Sequence, residues 1–416
     1  FPDLPARDGR VGKPDLQISI AILGPCLNLN RPRGSALMID VTPVRLIDKK
    51  GSTLHDFPYS GPGRKCPHFW IINVTPPGPE HCVHRCVYCY ARDAVFSDLS
   101  PGPAIYRNLT ELVAHDLDRL ELCPPVSISN VTDPCQDIPE LRAEVARLVQ
   151  LLMARGVAFC ITTKGDPGFL LELPGFVEYE PKAVAVTIEG TAGVLRLVSP
   201  AAPPYEARLG AVRRLSQLGI NTMVRLDPVF IHLFQALYGD TWFQEVESVL
   251  HSFAGAGTRH VVASTGRLSK KVAPNGGPGG WHRIEAVIRA QSAAAARRFA
   301  QEYVYERGGT SQGYLLRRDL RLEFHRRLRE LAQGLGLTYA VCQELGAEAD
   351  TPGLVHCERY LLPFSRKCAD GRFGPVEGCT ANCHVSCRGL SLPPCGEPRL
   401  ATPSPFKMGL LRRVTP

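Results

Sequence analysis

The chain has 416 residues with a net charge of +8, a hydrophobic fraction of 44% and a charged fraction of 21%. These values are typical of a globular protein and exclude intrinsic disorder and collagen. The sequence contains neither the uncharged apolar run of about 18 residues that a membrane span needs nor the N-terminal apolar stretch of a signal peptide. We therefore expect no membrane partner and a cytoplasmic location.

Fifteen cysteines are too few for a disulfide scaffold, and in a chain without a secretion signal they favour metal binding or chemistry. Six scattered ones are expected to pack as small apolar side chains: Cys26, Cys66, Cys123, Cys135, Cys160 and Cys342. Three lie close together, at Cys82, Cys86 and Cys89. The last six crowd the C-terminal segment and are predicted to bind metal: Cys357, Cys368, Cys379, Cys383, Cys387 and Cys395.

The first elements are an N-terminal extension (1–67) with strand-like runs at 16–23 and 36–44, then a strand at 68–76. The loop that follows carries Cys82, Cys86 and Cys89 in the spacing C-x3-C-x2-C. Three thiolates on a [4Fe–4S] cluster leave one iron without a protein ligand, where chemistry can occur. The alternative is a zinc knuckle that takes His81 or His84 as its fourth ligand.

The pattern C-x3-C-x-aromatic-C, with Tyr88 before the last cysteine, resembles the radical S-adenosylmethionine (radical SAM) superfamily. The resemblance implies that the open iron binds the amino and carboxylate groups of S-adenosylmethionine. It also implies that an electron from the cluster cleaves this cofactor to methionine and a 5′-deoxyadenosyl radical, which abstracts hydrogen from the substrate. A reductant such as ferredoxin or flavodoxin is the expected electron donor, and Tyr88 is expected to contact the cofactor.

Strands and helices alternate beyond the cysteine loop. The apolar patterns predict further strands at 125–131, 157–164, 182–190, 220–230 and 259–265, and helices at 110–122, 140–156, 169–176, 204–219 and 241–257. This alternation indicates an α/β fold with a parallel sheet. Its six strands match the partial (β/α)6 barrel that the resemblance implies, with residues 68–266 as the barrel domain.

Polar residues follow the predicted strands at the edge where such barrels place their chemistry. Ser129, Asn130, Thr132 and Asp133 are either turn residues or acceptors for the ammonium of S-adenosylmethionine. Lys164 is a candidate to bind the carboxylate of S-adenosylmethionine. Thr187 and Glu189 are candidates to bind the ribose hydroxyls, although Glu189 could instead be an acidic residue at a helix N-terminus. Arg196 and Arg225 are candidates to bind the methionine carboxylate.

The stretch 68–265 resembles the spore photoproduct lyase-like branch of the superfamily. The matching segments are CVHRCVYCYAR (82–92), ISNVTDP (128–134), ITTK (161–164) and VAVTIEG (184–190). In that branch the TDP-like and TK-like segments face the cofactor, which supports Thr132, Asp133 and Lys164. The lyases carry a hydrogen-donating cysteine where this chain has Asn130, and Cys135 is displaced from that position. The departure argues against reversal of thymine dimers by the lyase mechanism.

Residues 267–341 are predicted to form a Gly- and Lys-rich loop and a basic helical region that closes the barrel. Residues 342–416 are predicted to form a small domain around a second Fe–S cluster, with zinc as the alternative. Three functions follow. The first is a radical enzyme acting on nucleic acid, in DNA repair or tRNA modification; the second is radical modification of a peptide or small metabolite with an auxiliary cluster; the third is a non-catalytic Fe–S or zinc module.

Overall fold

The computed structural model describes residues 43–56, 66, 70–94, 97–307, 313–359, 362–381 and 383–401. The strand-like run at 16–23, most of the run at 36–44 and Cys26 lie outside these residues. No helix among the described residues is both long and apolar enough to cross a membrane.

Seven parallel strands form the central sheet, in their order along the chain. They are β1 (Trp70–Ile72), β2 (Val126–Ile128), β3 (Phe159–Thr163), β4 (Lys182–Thr187), β5 (Thr222–Leu226), β6 (His260–Ala263) and β7 (Thr338–Val341). A short antiparallel strand, His55–Asp56, pairs with β1 and ends the sheet on that side. The sheet is therefore an open α/β barrel, which confirms the predicted parallel fold.

Helices follow most of the strands. They are α1 (Leu109–Asp118), α2 (Pro139–Arg155), α3 (Ala192–Val198), α4 (Tyr205–Gln217), α5 (Ile231–Tyr238), α6 (Trp242–Gly255), α7 (Gly280–Gln291), α8 (Ala293–Glu302), α9 (Arg318–Gly334) and α10 (Cys383–Ser386). The segment predicted as a helix at 169–176 is instead a 3-10 helix, Pro167–Glu172. The sequence reading missed α3, which begins where the Thr191 hydroxyl accepts a hydrogen bond from the Val194 amide. It also missed α5.

The region 267–341 differs most from its prediction. Between α8 and α9 it contains an antiparallel hairpin, Tyr303–Glu306 with Gly313–Leu316. After α9 it adds β7, which pairs with β6 in the register His260 to Thr338. The run TYAV was too short to separate from the end of a helix by its pattern alone. In the described residues, the parallel part of the sheet consequently has seven strands, one more than the six predicted.

The C-terminal segment is attached at the amino end of the barrel. Its strands Ser365–Lys367 and Phe373–Pro375 form a sheet with Leu122–Cys123, which directly precedes β2. Gly156 ends α2 at φ +75°, and a Cβ there would lie 2.1 Å from the Phe373 carbonyl oxygen. Leu362 packs inside the barrel against the small side chains of Ala158, Cys160 and Ala183. The smaller remaining strands, Arg45–Ile47 and Ala104–Tyr106, pair with each other.

Candidate active site

The cysteine loop follows β1 at the carboxyl edge of the sheet. Burial raises the pKa of Cys86 to about 12, and burial together with neighbouring negative groups raises the pKa of Cys82 further. Thiols in this setting remain protonated unless a cation stabilises their thiolates, so this donor set suits a metal cluster. Within the described residues, no group of three or more His, Cys, Asp or Glu side chains is already arranged around a single metal ion.

Tyr88 connects the cysteine loop to the end of β4. Its hydroxyl donates to Glu189 Oε1 over 2.5 Å. The other carboxylate oxygen, Oε2, lies 2.6 Å from Arg208 Nη1, and neither charged side chain is exposed. Arg208 also donates to the Thr187 carbonyl and to the Ser199 hydroxyl. Both oxygens of Glu189 thus bind protein groups in the structure, and its contact with the ribose hydroxyls stays a prediction.

Asp133 joins the ends of β2 and β3 to the same loop. It accepts hydrogen bonds from the Thr163 hydroxyl at 2.6 Å and from the Lys164 amide at 2.5 Å. Its Oδ2 lies 3.3 Å from His84 Nε2, and its Oδ1 accepts from the Cys135 amide. Burial alone would raise the pKa of Asp133, but His84 and these donors outweigh it and keep the pKa well below its usual range. Asp133 therefore connects the ends of β2 and β3 to His84 of the cysteine loop.

The remaining residues of the segment after β2 divide into two sets. Ser129 and Thr132 are buried, and the Ser129 hydroxyl accepts from the Val74 amide while Thr132 contacts the Thr75 hydroxyl at 2.5 Å. Ser129 has φ +58°, an uncommon conformation for a residue other than glycine. Asn130 instead lines the cavity at the carboxyl edge. The strained turn after β2 thus turns Asn130 toward the open space.

The sequence analysis did not predict a role for Arg283, whose guanidinium binds the backbone of the cysteine loop. It donates to the carbonyls of Val87 at 2.6 Å and Cys89 at 3.2 Å, and it pairs with Asp93 at 2.8 Å. The predicted Gly-rich loop that precedes it gave no signal for this contact, because Arg283 is separated from Cys89 by 194 positions. Arg283 belongs to α7, so a further element of the chain supports the cysteine loop besides those that carry Asp133 and Glu189.

A cavity of about 290 Å³ opens beside the loop. Among the predicted cofactor residues, its lining includes Tyr88, Asn130, Lys164, Thr187 and Arg225. The lining does not include Arg196, which is exposed on α3, so its predicted contact with the cofactor carboxylate has no support from its position.

Two basic groups of this cavity have different surroundings. Lys164 Nζ lies 5.6 Å from the centre of the Tyr88 ring. Burial lowers the pKa of Lys164, but attraction to Glu189 and to the thiolate form of Cys86 outweighs it and raises the pKa. Arg225 is held by Asp227 at 2.6 Å and by Glu358 at 3.0 Å. Lys164 is therefore the better placed cation for an acidic ligand, since the guanidinium already has two carboxylates.

The histidines of the zinc alternative are engaged elsewhere. His81 contacts the Gly102 carbonyl through Nδ1 at 2.9 Å and Asp98 through Nε2 at 3.1 Å. His84 lies against Asp133. With both ring nitrogens of His81 in use, the zinc-knuckle alternative lacks a ready fourth ligand from that residue.

The six C-terminal cysteines do not form one group. Cys383 interacts electrostatically with Cys379, Cys387 and Cys395, and burial raises its pKa. We name these four the tail tetrad. Cys379 Sγ accepts hydrogen bonds at 3.4 Å from the amides of Phe364 and Ala381, as sulfur ligands often do. Cys368 is exposed, and Cys357 lies at the cavity instead.

The chain is similar to a curated protein and to several solved structures. No protein-family model matches the chain. The radical SAM Nalpha-GlyT isomerase of Pseudomonas phage M6 is 21% identical over 371 residues, which cover 84% of this chain and 71% of that protein. A mutant of spore photoproduct lyase is 16% identical with a TM-score of 0.49, covering 72% of this chain and 80% of the lyase. A second lyase mutant, with bound AdoMet and dinucleoside spore photoproduct, has the same sequence identity and TM-score. The match covers 68% of this chain and 78% of that lyase.

Three cysteines in one loop at the carboxyl edge of an open parallel barrel could hold an Fe–S cluster in which one iron has no protein ligand. This arrangement and the similarity to a curated radical SAM isomerase both support a radical SAM enzyme. Spore photoproduct lyases, the branch that the motif order predicts, are among the solved structures to which it is similar.

Proposed function

We propose that Cys82, Cys86 and Cys89 hold a [4Fe–4S] cluster, and that the enzyme abstracts hydrogen from a nucleic acid substrate. When bound, the cluster and S-adenosylmethionine supply an electron and a carbon-centred radical. The chain's own residues bind and orient these groups. Lys164 supplies a positive charge in the cavity for a carboxylate, while Asn130 and Thr187 line the same space as polar contacts.

The observation that carries the substrate class is a groove that joins this cavity. The groove and the cavity share Tyr88, Tyr90, Arg267 and Leu268. The groove continues along the hairpin and the loop before α7, and its further lining includes Lys270, Lys271, Tyr305 and Tyr314. Aromatic rings that alternate with cations are the usual means of holding unpaired bases and their phosphates.

The geometry of this groove suits bases rather than an apolar partner. The rings of Tyr305 and Tyr314 lie 5.4 Å apart, and half of Tyr90 and of Tyr305 is exposed. Lys270 Nζ lies 4.2 Å from the centre of the Tyr314 ring and 3.9 Å from that of Trp281. Exposed rings offer stacking faces, and the nearby ammonium groups offer charge to a phosphate backbone.

We further propose that the reaction is a rearrangement. The curated relative is named an isomerase, and a rearrangement returns the abstracted hydrogen to the product. Such a reaction needs no separate thiol donor, in agreement with Asn130 at the position where the lyases carry theirs. An auxiliary cluster in the tail tetrad would lie at the amino end of the barrel, away from the cavity, which disfavours substrate anchoring by that cluster.

The test uses anaerobically reconstituted protein, dithionite, S-adenosylmethionine and single-stranded oligonucleotides deuterated at their base and sugar carbons. We expect deuterium to enter the 5′ carbon of S-adenosylmethionine and of the 5′-deoxyadenosine released by uncoupled turnover, and Cys86→Ala to abolish both. Salt-dependent oligonucleotide binding should accompany this transfer. Retained cleavage in Cys86→Ala would contradict the cluster assignment, whereas cleavage without oligonucleotide binding or deuterium transfer would contradict the substrate class.

A further inference from the structure

Three cysteines from distant parts of the chain meet at the cavity. Cys66 precedes β1, Cys342 directly follows β7, and Cys357 lies in the segment beyond it. All three line the cavity, and the thiol of Cys357 is within hydrogen-bonding distance of both Cys342 and Cys66. We call them the mouth thiols. The sequence alone had assigned Cys66 and Cys342 to packing and Cys357 to the tail.

The surroundings of the mouth thiols are polar on the cavity side. Arg225 Nη2 lies 3.1 Å from Cys342 Sγ, and the same guanidinium pairs with Asp227 and Glu358. On its other side Cys342 packs against Ala185, Met223 and Val262. A cysteine that only filled space would have no need of a guanidinium at its sulfur, whereas an anionic metal–thiolate centre gains from such a donor.

Rigid elements carry two of these sulfurs. The Cys342 amide donates to the Ala263 carbonyl at 2.8 Å, which continues the β6–β7 pairing. The Cys357 carbonyl accepts from His260 Nε2 at 2.8 Å, and this histidine is the first residue of β6. Sites built on strand ends in this way hold their ligands in place with little loss of conformational entropy.

We propose that the mouth thiols bind a thiophilic metal centre, either an iron–sulfur cluster or zinc, with an open coordination position toward the cavity. Three protein thiolates leave one position for another donor, such as a nitrogen or oxygen of the substrate. In the structure the sulfurs contact one another, so binding requires their side chains to turn toward a shared centre. This centre is separate from the tail tetrad, because the tetrad belongs to the segment attached at the opposite end of the barrel.

The test compares the metal content of anaerobically purified full-length variants. Cys342→Ala/Cys357→Ala should lose one complete centre relative to wild type, while Cys123→Ala, a buried cysteine outside every thiol group, should lose none. Loss of iron with acid-labile sulfide identifies a cluster, and loss of zinc alone identifies a single ion. Cys66→Ala, which alters neither β6 nor β7, should weaken retention of the same metal and guards against misfolding of the double variant.

Two results would overturn the proposal. One is equal iron, sulfide and zinc in wild type and both variants. The other is a Cys342–Cys357 disulfide in the wild-type protein, found by mass spectrometry of alkylated peptides. Cleavage of S-adenosylmethionine without substrate should stay within about threefold of wild type in Cys123→Ala, which lies outside the cavity lining. That readout depends on Cys82, Cys86 and Cys89, so its failure is distinguishable from failure at the mouth thiols.

Discussion

Arg208 and Glu189 form an ion pair that is completely buried beneath the cysteine loop, with Nη1 and Oε2 2.6 Å apart. The Tyr88 hydroxyl donates to the second oxygen of Glu189. The pair therefore connects α4 and the end of β4 to Tyr88, which lies between Cys86 and Cys89. Its charges compensate each other where no water is available to do so.

Glu189→Gln should destabilise the folded protein by about 3–5 kcal/mol, because it leaves the Arg208 guanidinium buried and unpaired. Urea unfolding under anaerobic conditions measures the change. Asp166→Asn is the matched control, since its pair with Arg214 is about half exposed and should contribute less than about 1 kcal/mol. Equal effects of the two substitutions would contradict the assigned importance of burial.

Arg283→Ala should lower iron retention and cleavage of S-adenosylmethionine by about 10- to 100-fold, as expected for loss of a group that orients metal ligands. The reason is the loss of its bonds to the Val87 and Cys89 carbonyls. Arg289→Ala, on the same helix but paired with Glu285 at the surface, should behave like wild type. The measurements are the iron content of each variant and its yield of 5′-deoxyadenosine. An unchanged iron content in Arg283→Ala would contradict the role of Arg283 in supporting the cysteine loop.

His260 should make stability fall as the pH is lowered. Burial lowers the pKa of His260 to about 4, below the value of about 6.5 in the unfolded chain. The unfolded state therefore takes up the proton first, and between pH 6.5 and 5.5 this costs the folded state about 1 kcal/mol. His260→Gln should show a smaller loss over that interval in urea unfolding. Identical pH slopes would show that another group dominates.

The tail tetrad predicts which C-terminal cysteines retain metal. Cys395→Ala should lose a metal centre and unfold more readily than wild type, because it removes one of the four sulfurs of the tail tetrad. Cys368→Ala should retain that centre, since Cys368 is exposed and outside the tetrad. Metal analysis after gel filtration separates the two. Loss of the centre in Cys368→Ala would restore the wider ligand set that the sequence predicted.

Tyr305→Ala should weaken binding of a single-stranded oligonucleotide by about 1–3 kcal/mol through loss of a stacking face. Lys271→Ala should weaken binding uniformly and reduce the salt slope by about one. Leu392→Ala is the control, because Leu392 is 73% exposed but lies outside the groove. Fluorescence anisotropy at several salt concentrations provides the measurement, and unchanged affinity in Tyr305→Ala would remove the groove from the substrate site.

The cysteine loop and the alternation of strands and helices could be predicted because both depend on short-range spacing. Cys82, Cys86 and Cys89 lie within one turn-rich segment, and helical and strand periods repeat over a few residues. Parallel strands place their carboxyl ends on one edge of the sheet. The positions of Asn130, Lys164 and Thr187 at the ends of predicted strands therefore predicted their place in the cavity lining.

Only the tertiary structure decided which side chains meet across that edge. Arg283 reaches Cys89 across 194 positions, and Arg225 reaches Glu358 across 133. Tertiary packing likewise paired Glu189 with Arg208 and divided the cysteines into the loop, the mouth thiols and the tail tetrad. These contacts depend on strand order, register and side-chain packing, which local periodicity leaves undetermined. The sequence by itself thus determined the class of chemistry and the edge of the sheet that carries it, whereas the three-dimensional packing determined which charges and thiols surround the site.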